Sequence, residues 1–77
     1  MEKSPIDVLL RARYDKEYSS LRDFIVVILH RGAKNDEKRI DGARIISVQK
    51  DGFWYLNKFN EEIFIPAHRI KRLILKS

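Results

Sequence analysis

The chain has 77 residues, 44% hydrophobic and 35% charged, which fits one folded domain over 1–77 and excludes a disordered chain, because such chains lack the apolar side chains that offset the entropy of ordering. It contains no cysteine, which excludes disulfides, thiolate nucleophiles and cysteine-ligated metals. Sixteen Lys and Arg against eleven Asp and Glu leave a formal charge of +5, a balance that favours polyanionic partners through long-range attraction and counterion release.

Met1-Glu2-Lys3-Ser4-Pro5 lacks the charged-then-apolar layout of a signal peptide, and no apolar run approaches the ~18 residues of a membrane span. The expectation is a cytoplasmic protein with no membrane partner. Ser4, Pro5 and Asp7 read as a helix start: an N-cap, a proline where its missing N–H is harmless, and an acid at the positive end of the dipole. Ile6, Leu9, Leu10 and Tyr14 follow at near-helical spacing and predict about three turns with one apolar face, laid against a sheet. Residues 15–23 are polar and read as a connector.

Residues 24–31 have neither glycine nor proline, and Ile25, Val26, Val27 and Ile28 are β-branched, which favours a strand. Apolar residues on both parities predict a central strand buried on both faces, one against the helix and one against a further layer. His30 and Arg31 then emerge at its rim on opposite faces. Residues 32–38 read as a loop, and Ile40-Asp41-Gly42 as a short extended piece ended by a turn. Residues 44–50 predict a second strand, joined to Phe53-Trp54-Tyr55-Leu56 by a type I′ hairpin at Asp51-Gly52. A turn over 57–62 leads to a strand at 63–65, which Pro66 stops. Residues 70–75 fit strand or helix, and the β-rich neighbourhood favours the strand. The expected fold is α+β: an N-terminal helix packed on a small, strongly curved, mostly antiparallel sheet or open barrel of four to five strands.

The two histidines of the chain, His30 and His68, are each followed by arginine, Arg31 and Arg69. A guanidinium grips two phosphate oxygens at once, and an imidazole donates a hydrogen bond and, when protonated, adds charge. If the two pairs meet, they suit a small anion such as a terminal or cyclic phosphate. The bland alternative keeps His30 on a backbone carbonyl and Arg69 on Glu61 or Glu62. No acid occurs over 67–77, so one end of the molecule should be electropositive. Lys34, Lys38, Arg39, Arg44, Lys71 and Arg72 are the secondary candidates for backbone phosphates. Among Phe53, Trp54 and Tyr55 an exposed ring would stack a base, whereas burial of all three is the reading a small core favours. No carboxylate cluster or helical histidine pair points to a metal, and no glycine-rich loop to a nucleotide cofactor, so neither is expected.

The helix, Tyr14-Asp15, the strand ending His30-Arg31-Gly32, Ile40-Asp41-Gly42 and above all Ile65-Pro66-Ala67-His68-Arg69-Ile70 resemble the RNA cyclic group end recognition domain family, of small, mainly archaeal proteins. The resemblance spans nearly the full length. In that family a tryptophan followed by Asp-Pro commonly stands where Tyr14-Asp15-Lys16 stands here. The resemblance implies binding of RNA ends with a 2′,3′-cyclic phosphate in RNA repair or processing. The expectation is therefore a non-enzymatic module for single-stranded RNA or its 3′ end, with RNA-processing enzymes as further partners and His30, Arg31, His68 and Arg69 on the phosphate. Two alternatives stand beside it: His30 and His68 as acid and base of a cyclic phosphodiesterase or ribonuclease-like site, and a protein-interaction domain whose charge is incidental.

Overall fold

The computed structural model describes residues 4–14 and 20–76. Helix α1 (Pro5–Tyr14) starts as its sequence dictates: the Ser4 carbonyl accepts the N–H groups of Asp7 and Val8 at 3.0 and 3.2 Å, and the Ser4 hydroxyl donates to Asp7 Oδ2 at 2.9 Å. Its buried face is Ile6, Leu9 and Ala12. Tyr14 departs from expectation: it is 69% exposed, with the Arg13 guanidinium 5.6 Å from its ring centre. Tyr14 is the last described residue of α1, and its ring stands outside the core cluster. Most of the connector expected over 15–23 lies outside the described residues.

Six strands follow: β1 (Phe24–Leu29), β2 (Glu37–Asp41), β3 (Ile45–Gln49), β4 (Gly52–Leu56), β5 (Glu62–Pro66) and β6 (Ile70–Leu75). They form two antiparallel three-stranded sheets, ordered β2-β1-β6 and β3-β4-β5, which do not close into a barrel. The strand number exceeds the four to five expected because 37–41 pairs with β1 from Leu29↔Glu37 to Ile25↔Asp41, and 70–75 pairs with its other edge. The core lies between the sheets. Val26 and Ile28 of β1, Ile40 of β2, Ile45 and Val48 of β3, Phe53 and Tyr55 of β4, and Ile65 of β5 meet the buried face of α1 there.

Strand β1 is central, as its apolar parities predict, but among the described residues no further layer covers its outer face. Val27 is nonetheless fully buried. It stands directly between Arg39 of β2 and Arg72 of β6, and long arginine stems lie along such apolar surface while their heads stay in water. Among the described residues, three ion pairs link β2 to β6 and to Lys76 just past its end. Glu37 accepts Arg72 at 2.7 Å and Lys71 at 3.0 Å, and Asp41 accepts Lys76 at 2.7 Å.

The β3–β4 hairpin also differs from expectation. Gln49 pairs with Gly52, so the loop is Lys50-Asp51, one residue earlier, and neither loop residue takes the positive φ of a type I′ turn. The reason lies on the neighbouring strand. A Cβ on Gly52 would strike the Ile65 carbonyl oxygen and the Phe64 ring edge, so this glycine serves the close approach of β5 instead of the turn. Trp54 lies opposite Phe64 on the outer face, ring centres 5.2 Å apart, while Phe53 and Tyr55 point into the core.

Candidate functional site

The antiparallel ladder of β1 with β6 stops at the Ile28↔Ile70 pair, so the two His-Arg pairs leave the same end of the first sheet. The next carbonyl along, that of Leu29, has no β6 partner in the ladder. Arg69 supplies the donor: its Nη2 gives a hydrogen bond to Leu29 O at 2.7 Å. This bond ties the 3-10 turn Ala67–Arg69 to the last residue before His30. Arg69 is half-buried and bonded to backbone, which departs from the pairing with Glu61 or Glu62 held open above.

His30 anchors the other turn through its backbone. Its N–H donates to Asp36 O at 2.8 Å, and its carbonyl accepts Ala33 N–H at 3.2 Å. Gly32 takes φ +92°, which only glycine adopts without strain, and reverses the chain directly after Arg31. Asn35 and Asp36 follow at φ 59° and 54°, a left-handed backbone that short polar side chains tolerate best. The side chains of His30, Arg31 and His68 are exposed, and no hydrogen bond or ion pair joins them to another described residue. Lys34 stands exposed on the same connection, in the 3-10 turn Lys34–Asp36.

The other expected cations divide. Lys71 and Arg72 sit close behind this end, but they share Glu37, whose carboxyl is lowered from 4.5 to about 2, first by the Arg72 hydrogen bond and then by that of Lys71. Arg39 lies in mid-strand, across from Val27. Arg44 is elsewhere: its guanidinium donates to Leu56 O at 3.1 Å and Asn57 O at 2.6 Å, pinning the turn after β4. The expected aromatic run splits as the core requires, with Phe53 and Tyr55 buried and Trp54 half-buried on the outer face.

A second basic region gathers Lys38, Arg39 and Arg44 of the expected cations with Lys58 and Phe59, which were not foreseen. Where β2 faces the end of β4 across the open seam between the sheets, a cleft of about 610 Å³ is lined by Lys38, Arg39, Arg44, Tyr55, Lys58 and Phe59 among others. Lys38 Nζ donates to the Tyr55 hydroxyl at 3.3 Å across the seam. Phe59 is 71% exposed. Its sequence signal was a lone aromatic in the polar stretch 57–62, where no strand face accounts for it.

A UPF0248 protein of Methanococcus maripaludis (strain C6) is 36% identical to the chain over 52 residues, 68% of the chain and 60% of that protein. The chain is a distant relative of this archaeal protein. Its span thus falls short of two thirds of the length of the relative, whose name states no activity. No family model matches the chain, and no solved structure does. Among the described residues, no group of three or more His, Cys, Asp or Glu is placed to hold a metal ion, and no helix is long and apolar enough to cross a membrane.

Proposed function

We propose that the chain is a non-enzymatic RNA-binding module for RNA ends, with 2′,3′-cyclic phosphate termini as the preferred ligand, acting in RNA repair or processing. The observation that carries this reading is the 2.7 Å bond from Arg69 to the Leu29 carbonyl, which tethers one His-Arg pair to the strand that bears the other. Arg31 is the guanidinium whose donors remain for a bidentate grip on two phosphate oxygens. Arg69 keeps its remaining N–H groups for the same anion while holding the turn. His30 and His68 add hydrogen bonds, and charge once protonated. Lys34, with the Lys71 and Arg72 side chains behind, supports the approaching strand.

The test is the affinity of one RNA sequence ending in a cyclic phosphate or in a free hydroxyl, read by fluorescence anisotropy. The cyclic end should bind about tenfold tighter, the worth of one charge-assisted hydrogen bond, and Arg31→Ala should erase the difference. Arg31 is the informative position, because removing Arg69 also releases the turn. Equal affinity for the two ends overturns end recognition. Ring opening of the cyclic phosphate by excess protein is the result that would replace binding by acid-base catalysis, since both imidazoles are exposed.

A further inference from the structure

An exposed phenylalanine on a surface turn is by itself ordinary. The turn under Phe59 is not loose, however. Asn57 Oδ1 accepts the N–H groups of Phe59 and Glu61 at 2.9 Å each, and Asn57 Nδ2 donates to Glu61 Oε1 at 3.0 Å. Arg44 closes the arrangement from the other side through Asn57 O at 2.6 Å. The ring is therefore held out at 71% exposure by a backbone fixed at several points. Such an aromatic offers stacking area at little entropic cost.

Apart from Asp41, the charged residues lining the cleft are cationic. Lys58 Nζ sits 5.2 Å from the Phe59 ring centre, and Lys38 meets only the neutral Tyr55 hydroxyl. Arg39 has no acidic partner among the described residues. The one carboxylate of the lining, Asp41, is already bound by Lys76 at 2.7 Å, so it cancels little of this charge. A cleft of about 610 Å³ falls in the size range of small-ligand sites. A planar apolar face beside unneutralised cations is the pairing by which unpaired strands are bound: a base stacks, and the flanking phosphates meet the charges.

We propose that the seam cleft is a second site, one that takes a nucleotide of an unpaired RNA strand, with its base on Phe59 and its phosphates on Arg39, Lys38 and Lys58. The choice of RNA over DNA rests on the function proposed above, whereas the stacking and the charge contacts do not depend on end recognition. Both sites on one strand would let the chain hold the body of an RNA and its terminus separately.

The probe is a labelled oligouridine about eight nucleotides long with hydroxyl ends, so that no terminal phosphate takes part. The chain should bind it with strongly salt-dependent affinity and prefer it to a duplex of equal length. Phe59→Ala should weaken binding about tenfold, Phe59→Trp should restore it, and Arg39→Gln should flatten the salt dependence. Phe59 is 71% exposed and lies outside the core cluster, so the unfolding temperature of Phe59→Ala should match that of the parent. Unchanged affinity in Phe59→Ala, preference for duplex, or no salt-dependent binding would each overturn the second site. The cyclic-to-hydroxyl ratio reports on the other site alone: it should survive Phe59→Ala and vanish in Arg31→Ala.

Discussion

The two sheets face one problem and solve it by different chemistry. A chain of this length builds one core between its sheets, which leaves each outer face without a third layer. The first sheet shields β1 with ion pairs and arginine stems strung from β2 to β6, over a fully buried Val27. The second lays Phe64 over Gly52 and packs it on Trp54 at 5.2 Å. One cover depends on charge and the other on shape, so the two should respond oppositely to packing changes, pH and salt. The basic end with its His-Arg pairs belongs to the charged sheet.

The aromatic cover should break most sharply at Gly52. Any side chain there meets the Ile65 carbonyl oxygen, a backbone atom of the paired strand that cannot turn aside. Gly52→Ala should therefore cost about 3 kcal/mol, at the upper end of overpacking, measured by urea unfolding. A loss under about 0.5 kcal/mol would mean that β5 does not approach so closely. Trp54→Ala should come next, at about 2 kcal/mol, combining half-buried apolar area with the ring pair to Phe64. Both losses should be nearly independent of salt, because no charged group takes part.

The sequence carried the local decisions well. Ser4 and Pro5 start α1, the β-branched run over 25–28 becomes the central strand, and 70–75 is a strand along its edge. What it could not carry were decisions taken by partners far along the chain. Val27 looked like the mark of a further layer because burial by Arg39 and Arg72 requires two strands, one after it in sequence by about a dozen residues and the other by 45. Gly52 looked like a turn residue because the Ile65 carbonyl that needs its missing side chain comes thirteen positions later. Of the candidate site, the pattern of His-Arg repeats was visible, but whether the two pairs leave the same end of a sheet was not. The bond from Arg69 to Leu29 was not, because it uses a backbone atom that any residue would supply. The seam cleft was hidden for a related reason: its charges come from β2 and its aromatic from the turn after β4.

The smallest effect sharpens the contrast most, because it has a sign in pH. Glu37 titrates at about 2 in the folded chain against an ordinary value of 4.5, held down by Arg72 and then Lys71. A carboxyl with a depressed folded pKa stabilises the fold fully above its unfolded value, and that contribution is lost as pH falls through the folded one. The stability that Glu37 adds should thus be complete at neutral pH, decline below about 4.5 and be gone near 2. Asp41 is shifted in the same direction, by Lys76 first and the Ala43 N–H second, and deepens the acid loss. The check is the difference in unfolding midpoint between the parent and Glu37→Gln across this range. The difference should be modest at neutral pH, shrink as acid is added and shrink likewise in high salt, whereas the loss in Trp54→Ala should stay flat through both titrations. A Glu37→Gln difference that persists undiminished near pH 2 would show that Glu37 acts by packing, and the charged cover of β1 would have to be assigned to the arginine stems alone.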